Sequence, residues 1–188
     1  MSHILITGGT GMLSGAVKKF LSECETVSVI ARHENGFKKI ISGSNFPQRL
    51  NPIITDYSDA DLLSGKLMSS IHSKGAVSIA VSWIHSHSEK SHEIIGDLLN
   101  SQNINSEYYN ILGSAYYNPS NISSDTERIF SKYRNIFYKR IILGFKTENG
   151  ISRWLTNDEI SAGVTEAVTL GADEYKIGLT EPWKKKQL

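Results

Sequence analysis

Short apolar runs of strand length recur along the chain, each followed by residues with apolar spacing of three and four or by a turn signal. They predict strands over His3–Thr7, Thr26–Ala31, Arg49–Thr55, Ala76–Ser82, Glu107–Gly113, Ile136–Lys146 and Tyr175–Leu179. Between them the pattern predicts helices over Met12–Ser22, Glu34–Ser42, Ala60–Ser73, Glu89–Ser101, Ser123–Tyr133 and Asn157–Leu170. The last is the best marked. Thr156 followed by Glu159 has the form of a capping box, and Gly171 supplies a stop. Strands that alternate with helices pair in parallel, because each return requires a crossover. The pattern therefore predicts an α/β fold: a doubly wound, Rossmann-like parallel sheet of about seven strands, with helices on both faces. Runs such as Ala76–Ser82 mix apolar and small residues, as strands buried on two faces do. The stretches Tyr116–Ser124 and Lys146–Leu155 read as loops, and Lys184–Leu188 as a solvated end.

Composition narrows the partners. A length of 188 residues suits a single domain and leaves no room for a second, substrate-binding one. Twenty Lys plus Arg against nineteen Asp plus Glu leave a formal charge of +1, so no global field draws in nucleic acid or an anionic membrane. No apolar run approaches the ~18 residues needed to span a bilayer. The Met1–Thr7 run lacks the basic flank and cleavage site of a signal peptide. The single cysteine, Cys24, excludes an internal disulfide framework and any multi-cysteine metal site. It fits a reducing compartment, and the chain reads as cytoplasmic.

The strongest chemical signal is Ile4-Leu5-Ile6-Thr7-Gly8-Gly9-Thr10-Gly11-Met12-Leu13-Ser14-Gly15, a strand that runs through glycines into a helix. Glycines let the backbone touch a pyrophosphate, and the amides and positive dipole end of the helix receive its charge. A tight turn that binds nothing is the bland alternative. Context favours the dinucleotide, because the turn follows the first strand and opens a βαβ unit.

These residues carry a resemblance. Thr7-Gly8-Gly9-Thr10-Gly11-Met12-Leu13-Ser14-Gly15 resembles the cofactor fingerprint of the short-chain dehydrogenase/reductase superfamily, whose members bind NAD or NADP on such a sheet. The similarity spans nearly the whole chain. It departs from the usual spacings at the last glycine, with Ser14 where one variant has glycine, which suggests an atypical, short branch. The second strand ends in Arg32-His33 with no acid until Glu34. Arg32 offers a fork of donors matched to phosphate and His33 a further bond, so NADP(H) is preferred over NAD(H). Asp56, before Tyr57, resembles the family's adenine contact; a helix N-terminal acid is the alternative. Backbone at Ser82 and Trp83 occupies the place of the family's Asn-Asn-Ala-Gly-like segment beside the ribose, though the side chains differ.

The catalytic part is less complete. Ser114, after the fifth strand, resembles the serine that bonds the substrate carbonyl. The family's Tyr-x-x-x-Lys occurs nowhere in this chain. A proton donor would then be His85, which titrates near neutrality, or Tyr116 or Tyr117 behind Ser114. Each has a structural reading as well. His85, His87, Glu89 and His92 do not have metal-site spacing, and no metal is expected. Arg153 and Trp154 are candidate substrate contacts, an anion grip and a planar surface, with a helix staple as the alternative role for Trp154. The reading is an NADP(H)-dependent oxidoreductase acting on a small carbonyl or imine. The alternative is an NADP-binding sensor without turnover. Dimers are common in the superfamily, so the resemblance implies a homodimer.

Overall fold

The structure, a computed structural model, describes residues 3–84, 89–113 and 125–181. Its strands are β1 (His3–Thr7), β2 (Thr26–Ala31), β3 (Leu50–Ile54), β4 (Ile79–Ser82), β5 (Ser106–Gly113), β6 (Ile136–Leu143), β7 (Phe145–Glu148), β8 (Ile151–Trp154) and β9 (Glu174–Ile177). The helices are α1 (Ser14–Glu23), α2 (Asn35–Ser42), α3 (Ala60–Lys74), α4 (Glu89–Ser101), α5 (Asp125–Phe130) and α6 (Asn157–Leu170). Seven strands form one sheet in the order β3-β2-β1-β4-β5-β6-β9, every neighbouring pair parallel. Strand order reverses between β1 and β4, so the chain leaves their carboxyl ends in opposite directions and opens a crevice there.

Strand residues alternate between two cores. Ile4, Ile6, Val27 and Val29 face α1, α2 and α6, where Val17, Phe20, Phe37, Ile40 and Val164 meet them. Leu5, Ile30, Ala80 and Tyr108 face α3, α4 and α5, packing with Leu63, Leu67, Ile95, Leu99 and Phe130. Burial on both faces is why these strands read as continuous apolar runs.

The predicted α6 holds in detail: Thr156 accepts from the Glu159 amide, Glu159 accepts from the Thr156 amide, and Gly171 takes a left-handed φ of 63°. The segment read as a loop at Lys146–Leu155 is instead an antiparallel hairpin, β7–β8. Its turn residues Asn149 and Gly150 both have positive φ, 52° and 79°, as a two-residue turn with matching twist requires. The predicted sixth strand is cut at Gly144, where a Cβ would collide with the Leu179 carbonyl. The first helix starts at Ser14 rather than Met12 because the glycine turn continues through Leu13, and β4 starts at Ile79 rather than Ala76.

Candidate functional site

A cavity of about 410 Å³ lies at the carboxyl ends of β1 and β2, lined by Gly8, Thr10, Gly11, Met12, Ile30, Ala31, Arg32, His33, Gly36, Tyr57 and Trp83. Each glycine of the turn has its own reason to be there. Gly8 adopts φ +81°, a region an L side chain enters only with strain. At Gly9 a Cβ would lie 2.7 Å from Val29 Cγ1 and 2.9 Å from Val17 Cγ2, so this residue lets the turn pack on the core. Gly11 has nothing within 4 Å of a built Cβ and faces the cavity.

Gly15 belongs to a different contact. Its Cβ would sit 2.9 Å from Ser161, whose hydroxyl donates to the Met12 carbonyl at 3.0 Å. Gly15 thus lets α6 approach the turn closely and brace it, and it is not among the residues that line the cavity. Leu13 is fully buried in the core and likewise does not line the cavity.

Across the cavity, Arg32 and His33 follow β2, and no carboxylate is among the lining residues. Gly36 completes this wall; a Cβ there would meet Thr10 Cβ at 2.5 Å, so α2 comes against the turn only because the residue is glycine. Sequence reasoning missed Gly36, although a glycine at the second βα turn was a usable signal. Asp56 stands beside the cavity rather than in its lining. Its carboxylate accepts from the Ser58 amide at 2.9 Å and hydroxyl at 2.8 Å, and these bonds, then Arg32 and His33, hold its pKa below the ordinary carboxylate value. The α3 N-cap is Asp59, which accepts from the Leu62 amide, so the helix-acid alternative for Asp56 falls to its neighbour. The Tyr57 carbonyl accepts from the Ser91 hydroxyl at 2.6 Å, which ties this loop to α4.

Trp83 closes the crevice toward β4. Its amide donates to the Thr7 carbonyl at 3.3 Å, and a Cβ on Gly8 would lie 3.3 Å from its carbonyl oxygen. Ser82 is buried below it and is not among the residues that line this cavity. Ser114, His85 and Tyr116, the expected catalytic groups, lie outside the described residues.

Arg153 sits on β8 and is strongly engaged. Its guanidinium grips both oxygens of Glu159 at 2.8 and 2.9 Å and reaches Glu148 at 2.6 Å. Those carboxylates push its pKa up, and an anionic substrate would have to compete with them. Trp154, 56% exposed, presents its ring at the hairpin end. Among the described residues no group of three His, Cys, Asp or Glu is arranged to hold a metal, and no helix is long and apolar enough to cross a membrane.

No protein-family model matches the chain, and no curated protein matches it. Solved structures do. The chain is similar to a short-chain dehydrogenase from Bacillus anthracis, with a TM-score of 0.72, 14% identity, and 94% of this chain and 95% of that one covered. It is similar to a doubly substituted Serratia marcescens short-chain dehydrogenase/reductase, with a TM-score of 0.70, 12% identity, and coverage of 96% and 98%. A Brucella melitensis protein described as a short-chain dehydrogenase/reductase, glucose/ribitol dehydrogenase, gives 0.66, 11%, 95% and 94%. At these identities the likeness is one of fold. The chain has the Rossmann fold of the short-chain dehydrogenases over nearly its full length.

Proposed function

We propose that the chain is an atypical short-chain dehydrogenase/reductase that binds NADP(H) in preference to NAD(H) and reduces a small carbonyl or imine compound. One observation carries the reading: a single cavity joins the Gly8–Met12 turn to Arg32 and His33, with no carboxylate in its wall. The turn suits a pyrophosphate, since Gly11 leaves its backbone open and α1 begins immediately behind it. Arg32 and His33 stand where a 2′-phosphate is distinguished from a ribose hydroxyl. Tyr57 and Asp56 flank the adenine end.

Bound nicotinamide supplies hydride. This chain's residues would then orient the substrate and deliver a proton, and Ser114, His85 and Tyr116 are the groups proposed for that work, with Trp154 and Arg153 at the substrate end. We place the protein in the cytoplasm because its single cysteine, Cys24, suits a reducing compartment, and take it as a homodimer because dimers are common in the superfamily it resembles. A second reading rests on the missing Tyr-x-x-x-Lys: a sensor that holds NADP(H) without turnover.

Titration with NADPH and NADH tests the cofactor claim. Replacing Arg32 with Ala removes charge-assisted bonds of ~1.5–3 kcal/mol, so NADPH affinity should fall about tenfold to a hundredfold and NADH affinity should hold. Equal affinities for both dinucleotides in the wild type would overturn it. NADPH oxidation against aldehydes, ketones and imines separates enzyme from sensor.

A further inference from the structure

Three buried polar atoms lie side by side beneath the crevice. Thr7, Ser82 and Asn110 are register partners across β1, β4 and β5, so their side chains share one face of the sheet. They are 0%, 1% and 1% exposed. Thr7 Oγ1, Ser82 Oγ and Asn110 Oδ1 meet no hydrogen-bond partner. The Ser82 hydroxyl lies near that of Tyr108 and lowers its pKa slightly against the much larger upward push of burial, but it does not reach bonding geometry. The Asn110 amide donates to Tyr138 Oη at 3.0 Å, which leaves its Oδ1 as the unpaired atom of that side chain. An unpaired buried polar group costs about 1–3 kcal/mol, and three in one row on the central strands are not incidental packing.

The opposite end of the same face supplies a control. On β1, His3, Leu5 and Thr7 share that face. His3 Nδ1 donates to the Gly75 carbonyl at 2.8 Å and Nε2 accepts from Ser28 Oγ at 2.7 Å, while Asn51 Nδ2 donates to Ser28 and Ser70 at 2.9 and 2.8 Å. His3 and Ser28, buried toward the amino ends of β1 and β2, are thus paired, whereas Thr7 Oγ1, Ser82 Oγ and Asn110 Oδ1, toward the carboxyl ends where ligands bind in such sheets, are not.

We propose that the Thr7–Ser82–Asn110 row is a subsite for an uncharged hydroxyl- or amide-bearing group on the nicotinamide half of the dinucleotide, which supplies the partners the chain lacks. This rests on the dinucleotide reading. Two hydroxyl donors and one amide acceptor, with no charge in the row, suit a ribose hydroxyl or a carboxamide and not a phosphate or carboxylate. Position agrees. Arg32, at the end of β2, lies on one side of β1, and the row extends the other way to β5. Thr7 and Ser82 immediately precede Gly8 and Trp83, which line the cavity, so the row begins directly behind the cavity wall.

Thermal shift with NADPH and with adenosine 2′,5′-bisphosphate, which lacks the nicotinamide half, tests the assignment in Thr7→Val and Ser82→Ala. Removing an unpaired hydroxyl should raise the unliganded Tm by about 2–6 °C. NADPH affinity should fall about tenfold, and bisphosphate affinity should not change. Destabilised variants would show that the chain pairs these hydroxyls itself, and unchanged NADPH affinity would show that no cofactor group reaches them; either result overturns the row. A wild type that binds neither probe overturns the dinucleotide reading, and the row with it.

Discussion

Acid should unfold this protein through one histidine in particular. His92, on α4, is 4% exposed, and its Nδ1 is hydrogen-bonded to Tyr108 Oη at 2.6 Å, with Tyr108 itself fully buried. Burial disfavours the imidazolium and pulls the His92 pKa from 6.5 down to about 4. The unfolded chain therefore takes up a proton at a pH where the folded chain does not, and stability falls as pH drops through this window. It is complete above pH ~6.5. Linkage over the interval gives a loss of about 1.4 kcal/mol by pH 5.5 and about 3 kcal/mol by pH 4. Urea unfolding of the wild type and of His92→Gln at pH 7.5, 5.5 and 4 isolates the effect, because His3, also depressed by burial, titrates equally in both. The wild type should lose about 3 kcal/mol more than the variant between pH 7.5 and 4. Parallel pH profiles would refute the argument, since the buried imidazole would then be protonating in place.

Two glycines of one turn should behave oppositely. Gly9→Ala places a methyl within 2.9 Å of Val29 and Val17 and should cost about 1–3 kcal/mol in urea unfolding. Gly11→Ala meets no atom within 4 Å, so stability should stay within about 0.5 kcal/mol while NADPH titration shows weakened binding. Lys139 is a buried cation that donates to Glu107 at 3.0 Å and to the Gly171 carbonyl at the end of α6 at 2.7 Å. Lys139→Met should destabilise by about 2 kcal/mol in chemical denaturation, less if Glu107→Gln removes the carboxylate left behind.

What could be read from the chain follows the range of the interactions. Local signals were sufficient for the α6 capping box, the Gly171 stop and the strand-to-glycine turn, because each lies within a few residues. The β7–β8 hairpin was also local. Asn149-Gly150 is a strong hairpin signal, but the apolar run before it drew the sixth strand through Gly144. The separate duties of Gly8, Gly9, Gly11 and Gly15 were not legible. They depend on Trp83, Val29, open space and Ser161, the last of these on a helix at the far end of the chain. The same holds for Thr7, Ser82 and Asn110, which become a row only once β1, β4 and β5 are paired in register. Sequence spacing cannot supply that alignment. Nor could it separate Asp56, held by Ser58, from Asp59, which caps α3.

Two serines then allow the same substitution to be read with opposite signs. Ser28 and Ser82 are both buried in the sheet on the face covered by α3 and α4, at 0% and 1% exposure. Ser28 Oγ is bonded to His3 and Asn51. Ser28→Ala leaves His3 Nε2 buried without its donor, because Nδ1 is already committed to Gly75, and Asn51 retains only Ser70. The loss is a desolvated acceptor, about 1–3 kcal/mol. Ser82→Ala removes an oxygen that bonds nothing, so the desolvation cost disappears with it. Urea midpoints of the unliganded proteins should therefore move down for Ser28→Ala and up for Ser82→Ala. A cavity effect alone would move both down by similar amounts, since the atoms removed are the same. Matching decreases would mean that polar pairing does not distinguish the two ends of the sheet, and the carboxyl end would have no unmet hydrogen bonds to offer a ligand.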